Sequence, residues 1–142
     1  MFAAMRHILS VFGAQVRVAL AAAQTPAERL DAIIRASFDP ENFRRDVVSA
    51  WLNFYVMAMT SPSAQRLLNI YQRRLRSNLI HELRQIVGSE RAGSAAEIVA
   101  AMIDGLYIRE ALNQNTIGPA SARDLARACI EAYIRPQDGR CR

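Results

Sequence analysis

The chain has 142 residues, of which 51% are hydrophobic and 22% are charged. It is therefore long enough for one domain with a sizeable core, and too apolar to be disordered. All eighteen basic residues are arginines, and they give the chain a net charge of +5. They are scattered along the sequence without the interleaved aromatic residues of a single-strand binding surface. We interpret the charge as solvated protein surface rather than as a nucleic-acid interface.

The N-terminal segment, residues 1–23, carries an early basic residue and ends in an alanine-rich run, a pattern that imitates a secretory signal peptide. Gln15 and Arg17 interrupt its apolar stretch, and no run in the chain approaches the roughly eighteen apolar residues of a membrane span. We therefore expect a cytoplasmic protein with no membrane partner. Large apolar residues recur at steps of three and four, which predicts an amphipathic first helix ending near Gln24: Met5, Leu9, Phe12, Val16 and Leu20.

Local punctuation defines the next two helices. Residues 25–28 (Thr-Pro-Ala-Glu) supply a capping box with proline at the first helical position, so a second helix starts there and runs to near Phe38. Residues 39–41 (Asp-Pro-Glu) predict a turn. The third helix, about residues 45–59, is apolar almost all round, and a helix of this kind belongs in the middle of a bundle.

Glycine and proline positions mark three further helices. No stretch alternates as a β-strand would, and the sequence contains no internal repeat. The predicted fold class is all-α, a helical bundle of about six helices in one domain, residues 1–135, followed by a polar tail, residues 136–142. The last three helices are expected at residues 62–87, about 95–112, and 119–134.

The sequence carries no recognisable catalytic motif. His7 and His81 are its only histidines, and the pair His81-Glu82 does not continue to the second histidine of a zinc-protease helix. Cys129 falls in an apolar helical stretch and is expected to be a small core residue, while Cys141 lies in the polar tail. Neither spacing suggests a disulfide or a metal site. We therefore expect a protein that is not an enzyme, with no cofactor and no metal.

Three segments resemble the C-terminal domain of the BetI-type repressors of the TetR family. They are residues 39–55, in which DPE is followed by AWLNFY, residues 73–83, RRLRSNLIHEL, and residues 101–112, AMIDGLYIREAL. Their order and their placement on consecutive helices make the resemblance specific, and it covers nearly the whole chain. It implies a regulatory sensor domain that binds a small-molecule effector and dimerises.

The resemblance also implies an expectation about DNA. TetR-family repressors carry a helix-turn-helix domain before this region, and residues 1–7 resemble the start of the helix that follows it. We therefore expect the chain to lack that domain, and to reach DNA only through a helix-turn-helix that it does not itself contain.

Choline-responsive members of the family bind a quaternary ammonium compound, so the resemblance implies an effector of this class. Such a cation has no hydrogen to donate, and proteins hold it with aromatic faces. Trp51 ranks first because indole offers the strongest such face, and Asn78 or Glu82 would add a polar contact. Ordinary core packing is the alternative interpretation of aromatic residues at helical spacing. The candidate ligand-binding residues are Trp51, Phe54, Tyr55, Tyr71, Asn78 and Tyr107.

The family dimerises through its last two helices, and small residues such as Ala96, Ala100 and Gly105 would permit close helix approach there. Asp104 and Arg109 are candidates for polar pairing across this interface, with an internal salt bridge as the equal alternative. We predict a homodimer. The candidate interface residues are Gly105, Leu106, Arg109, Leu125, Cys129 and Tyr133.

A second hypothesis comes from a different class of protein. A chain that keeps the dimer surface without a DNA-binding domain would pair with a full-length repressor and remove it from DNA. No effector would be needed for this function.

Overall fold

The computed structural model describes residues 2–113, 115 and 117–136. These residues contain six α-helices and no β-strand, which confirms the predicted fold class. The helices are α1 (Phe2–Ala22), α2 (Pro26–Ser37), α3 (Arg45–Ala58), α4 (Pro62–Val87), α5 (Ser89–Leu112) and α6 (Pro119–Ile134).

The predicted capping signals form as the sequence indicates. The Thr25 side chain accepts a hydrogen bond from the Glu28 backbone N–H, and the Glu28 carboxylate accepts one in return from the Thr25 N–H. Ser61 caps α4 in the same manner through the Ala64 N–H. Each cap satisfies a backbone donor that the first helical turn leaves unpaired. Residues 40–43 form the predicted turn between α2 and α3.

The prediction for the start of the fifth helix is wrong. The helix begins at Ser89 rather than near Ala95, because Gly88 alone separates α4 from α5. Gly88 adopts a φ of 85°, a left-handed value that glycine reaches without a Cβ clash. The chain thereby reverses within one residue, and the next turn of α5 buries Ala92 against the core.

The core has two parts. The larger part lies among α1, α2, α4, α5 and α6, and its centre includes Ile33, Leu79 and Ile103, none more than 1% exposed. The smaller part joins α1, α3 and the start of α4. Its buried members are Met5, Trp51, Phe54, Ala58 and Ala64.

Helix α3 is not buried all round as predicted. Val56 is 66% exposed and Met59, directly after the helix, is 83% exposed. The buried positions include Val48, Trp51 and Phe54, and among the described helices α3 packs mainly against α1, α4 and α5. The apolar composition of α3 therefore predicts more burial than the structure shows, because these neighbouring helices cover only part of its surface.

Cys129 is exposed, so its expected place in the core is wrong. The buried positions of α6 are Ala122, Ala126 and Ile130, which recur every four residues and leave Cys129 outside that row. The predictions for Cys141 and for the polar tail concern positions that lie outside the described residues, apart from Pro136.

Three polar contacts fix the helices relative to one another. Arg29 on α2 donates from Nε to the Glu82 carboxylate on α4 at 2.7 Å, and from Nη1 to the Leu20 carbonyl at the end of α1. Arg127 on α6 holds Asp31 on α2 through two hydrogen bonds of 2.6 and 3.0 Å. The Glu110 carboxylate accepts from the backbone N–H groups of Ile117 and Gly118, which positions the entry to α6 (Ile117, Gly118).

Candidate effector site and dimer face

Aromatic side chains gather where α3 crosses α4. The Trp51 ring lies 4.8 Å from the Tyr71 ring, 5.8 Å from Tyr55 and 6.4 Å from Phe54, measured between ring centroids. Trp51 and Phe54 are almost fully buried, while Tyr55 and Tyr71 are half-buried. The structure therefore brings together four of the aromatic residues that the sequence nominated.

Asp104 reaches this cluster from α5. The Tyr55 hydroxyl donates a hydrogen bond of 2.8 Å to Oδ1 of Asp104, which is half-buried. Among the residues that the structure describes, no Arg or His nitrogen lies within 4.0 Å of this carboxylate. Burial raises the pKa of Asp104, and the Tyr55 hydrogen bond offsets this only in part. The Asp104 carboxylate is therefore half-buried without a positively charged partner among the described residues.

The internal salt bridge expected between Asp104 and Arg109 does not form. Asp104 points toward Tyr55 on α3, and the side chain of Arg109 is exposed. The two residues are five positions apart on α5 and lie on different faces of the helix. Pairing of either residue across a dimer interface stays a prediction.

The three tyrosine hydroxyls near Asp104 stay protonated. Burial raises the pKa of Tyr55, Tyr71 and Tyr107, and the negative charge of Asp104 raises each of them further. The hydroxyls therefore remain hydrogen-bond donors and the rings remain neutral. Neutral, electron-rich rings around a carboxylate make a region of negative potential inside the bundle.

Tyr107 does not face Trp51 in the way the sequence suggested. Its hydroxyl donates to the Ser37 backbone carbonyl, and its ring packs against Phe38 at 5.9 Å and Phe43 at 5.4 Å. It thus secures the turn after α2 to α5. In this structure Tyr107 therefore packs at the edge of the cluster, and its part in an effector site stays a prediction.

Asn78 and Glu82, the expected polar contacts, lie apart from the aromatic cluster. Asn78 is exposed and lines a groove of about 740 Å³ between α1 and α4, a groove that Tyr71 also lines. Glu82 is 2% exposed and already paired with Arg29. Asn78 and Glu82 lie on α4 together with Tyr71, but only Tyr71 contacts Trp51.

The outer surface of α5 carries a continuous apolar row. Residues 98, 101, 105, 108 and 112 follow one another at steps of three and four, and they lie opposite the buried residues of the helix. Leu112 is 73% exposed and Leu125 on α6 is 54% exposed. We call these positions the outward face: Ile98, Ala101, Gly105, Ile108 and Leu112 on α5, with Leu125, Ala128, Cys129 and Ala132 on α6.

The candidate interface residues divide between this face and the core. Gly105, Leu125 and Cys129 belong to the outward face, whereas Leu106 is a core residue with 9% exposure. Tyr133 is half-buried, and its ring lies under the Arg91 guanidinium at 5.2 Å. Of the three candidates on α5, Gly105 therefore lies on the outward face, Leu106 is buried, and Arg109 is exposed next to Ile108.

Among the residues that the structure describes, no group of three or more His, Cys, Asp or Glu side chains is arranged to hold a metal ion. None of the described helices is long and apolar enough to cross a membrane.

Comparison with known proteins places residues 26–135 on the C-terminal domain of the BetI-type transcriptional repressor. The chain is 45% identical to the HTH-type transcriptional regulator BetI of Brucella anthropi, over 95% of this chain and 68% of that protein. The corresponding identities are 46% for Brucella abortus and 42% for Rhizobium meliloti, each over 95% of this chain and 66% of the relative. The chain thus spans about two thirds of the length of these relatives.

A solved structure shares the fold. It is a protein of Pseudomonas aeruginosa PAO1 assigned to transcriptional regulation, 25% identical in sequence, with a TM-score of 0.77. The superposition covers 91% of this chain and 66% of the other. The six-helix arrangement is therefore one that a second regulator also adopts.

Proposed function

The chain belongs to the BetI-type transcriptional repressors of the TetR family, and from this premise we propose that it is the effector-sensing and pairing part of such a regulator. The effector is a small quaternary ammonium cation such as choline. It binds at the junction of α3, α4 and α5, where Asp104, Tyr55, Tyr71 and Trp51 meet.

The observation that carries this proposal is the Asp104 carboxylate. A half-buried acid without a cation is unfavourable in its charged form, which is why its pKa is raised. A ligand cation at this position supplies the missing charge. Protonated tertiary amines and quaternary ammonium ions both carry that charge, but a quaternary ion needs no acceptor for an N–H group and is held by neutral rings. Trp51, Tyr55 and Tyr71 are such rings.

Binding requires the rings to separate. A centroid distance of 4.8 Å between Trp51 and Tyr71 leaves no space between them for a trimethylammonium group. Tyr55 is half-buried and its hydroxyl is held by Asp104. We propose that the cation takes the place of the Tyr55 hydroxyl at Asp104, and that the Tyr55 ring turns to cover it. This movement at α3 is how the effector would reach the rest of the regulator.

Pairing uses the outward face. Large exposed apolar residues in a row at helical spacing are typical of a helix that packs against another chain. Obligate interfaces of this type bury more than about 2,000 Å². Recognition of DNA we assign to a helix-turn-helix of the assembled regulator, the class that its relatives' name denotes.

The test of the effector is a titration of Trp51 fluorescence with choline. The matched control ligand is 3,3-dimethyl-1-butanol, which replaces the ammonium by an uncharged carbon. We expect choline to change the emission and the alcohol to leave it unchanged. Equal responses to both ligands would overturn the role of charge, and absence of any choline response would overturn the effector assignment.

The outward face favours a second candidate function, pairing with a full-length repressor without an effector. Leu112→Arg places a charge in the row, and Val56→Arg on α3 is the matched control, since Val56 is also exposed and apolar. Sedimentation equilibrium should show a dimer for the wild-type chain and the control, and a monomer for Leu112→Arg. A wild-type monomer at micromolar concentration would remove both pairing proposals, while leaving the choline titration to decide the effector.

A further inference from the structure

The positive charge of the chain is concentrated on two helices. Helices α1 and α4 together contain seven arginines and a single acidic residue, Glu82, whereas the rest of the sequence has eleven arginines and twelve acidic residues. Glu82 is buried and already paired with Arg29. The net positive charge of the chain is therefore carried by these two helices, although the arginines are scattered along the sequence.

The same two helices enclose the groove of about 740 Å³. They run in the same direction: Phe12 meets Tyr71 at a centroid distance of 6.0 Å, and Arg29 joins the Leu20 carbonyl to Glu82 further along. The groove has an apolar floor formed by Leu9, Phe12, Val16, Leu67, Tyr71 and Leu75.

Three arginines line this groove, Arg6 and Arg17 from α1 and Arg74 from α4. The Arg17 guanidinium folds back along its helix, because Nη1 lies 3.6 Å from the position that a Cβ on Gly13 would take. Among the described residues, no carboxylate lies within 4.0 Å of any of the three guanidinium groups. The other polar groups at the rim are neutral and able to hydrogen-bond: Ser10, Ser77 and Asn78.

We propose that this groove binds an amphipathic anion, a carboxylate or a phosphate monoester on an apolar tail of medium length. Guanidinium groups pair with both anions in a bidentate geometry, and the recessed Leu, Phe and Val surface accepts the tail. The volume is within the range of about 300–1,000 Å³ that small-molecule sites occupy. Nucleic acid fits less well, because a phosphate backbone offers nothing to the apolar floor.

This site is separate from the cation site proposed at Asp104. Its charge has the opposite sign, and its arginines repel choline. Tyr71 is the residue that the two sites share, since its ring contacts Trp51 on one side and lines the groove on the other. Because the two sites differ in charge and share only Tyr71, one assignment can fail without the other. A ligand in the groove would still contact the aromatic cluster through Tyr71.

Calorimetric titration of the full chain tests the head group and the tail. The probes are octanoate and octyl phosphate below their critical micelle concentrations, 1-octanol below its solubility limit, and acetate. We expect octanoate and octyl phosphate to bind one per chain, and 1-octanol and acetate to bind more weakly by about tenfold or more, because each lacks one of the two interactions. Equal binding of octanoate and 1-octanol would overturn the role of the arginines. Equal binding of octanoate and acetate would overturn the role of the floor.

Paired variants test the location. Arg17→Gln with Arg74→Gln removes two groove charges, and Arg73→Gln with Arg84→Gln removes the same charge from exposed positions of α4 outside the groove. The first pair should weaken octanoate binding by about tenfold or more, and the second by less than about twofold. Equal losses in both pairs would place the anion outside the groove. Displacement of octanoate by duplex DNA at physiological salt would assign the arginines to nucleic acid and overturn the proposal.

Discussion

Glu82 and Asp104 are both acidic residues within the bundle, and their surroundings differ. Glu82 lies at the junction of α1, α2 and α4, where Arg29 neutralises it and ties three helices together. Asp104 lies at the junction of α3, α4 and α5, next to tyrosines, and no Arg or His of the described residues pairs with it. The difference separates two roles: a paired buried charge fixes the structure, while an unpaired one leaves room for a ligand's charge.

The two regions also differ in what their neighbours could do. Arg29 cannot leave Glu82 without stranding a charge that is 3% exposed. Tyr55 can leave Asp104 for a cation, because its neutral hydroxyl only partly offsets the burial of the carboxylate. We therefore expect the first junction to be rigid and the second to respond to effector.

The largest expected effect is at the paired acid. Arg29→Ala leaves the Glu82 carboxylate buried without a partner and removes the hydrogen bond to the Leu20 carbonyl. The free energy of unfolding should fall by about 3 kcal/mol, the low end of the range for a broken buried pair, because Arg29 itself is 33% exposed. Urea denaturation measures this. Arg76→Ala, which removes an exposed pair with Glu97, should cost less than about 1 kcal/mol; a similar loss in both variants would contradict the rigid junction.

Replacing the unpaired acid Asp104 should raise the stability of the fold at neutral pH, whereas replacing Arg29 lowers it. Burial raises the pKa of Asp104 in the folded chain, so its contribution to stability is present below the unfolded pKa and is lost as pH rises through the folded pKa. Asp104→Asn keeps an acceptor for the Tyr55 hydroxyl and removes this loss. The variant should melt at a higher temperature than wild type at neutral pH, and the difference should vanish at pH values below the unfolded pKa. A variant that melts lower at neutral pH would mean that Asp104 is structural.

The smallest effect belongs to the groove arginines. Arg17 and Arg74 are exposed and meet no carboxylate among the described residues. Their charges are therefore solvated in the folded chain as in the unfolded chain and contribute little to stability. Arg17→Gln with Arg74→Gln should change the free energy of unfolding by less than about 0.5 kcal/mol in either direction. A loss of several times that size, measured by urea denaturation, would show that these side chains support the fold.

Most of the fold follows from local chemistry in the sequence. Thr25 and Ser61 each cap a helix that begins where the capping motif predicts, because the cap needs only neighbouring backbone groups. The sequence did not predict the start of α5, because Gly88 is both the C-cap of α4 and the N-cap of α5. A single glycine indicates the end of one helix and gives no signal for the start of the next. The pattern of apolar residues also placed Leu106 on the outer face, one residue away from the observed row.

The candidate site was predicted only in part. The aromatic candidates on α3 and α4 followed from the effector class that the family resemblance implies, and Trp51, Tyr55 and Tyr71 do meet. The hydrogen bond from Tyr55 to Asp104 was not foreseen, since it joins residues 49 positions apart and depends on the angle at which α3 crosses α5. An acidic residue inside the apolar run of α5 was the available signal. The position of Tyr107 against Phe43 depends on the same tertiary geometry.

The proposed effector site depends on Asp104, whose carboxylate meets the charge of the cation. Calorimetric titration of choline at several pH values, in two buffers with different ionisation enthalpies, measures the protons exchanged on binding. Because the pKa of Asp104 is raised, choline should bind more tightly as pH rises through that pKa, and binding in this range should release a proton. Asp104→Asn should bind choline more weakly and with no dependence on pH. Equal choline affinity in the variant and the wild type, or binding without proton release at every pH, would contradict the account.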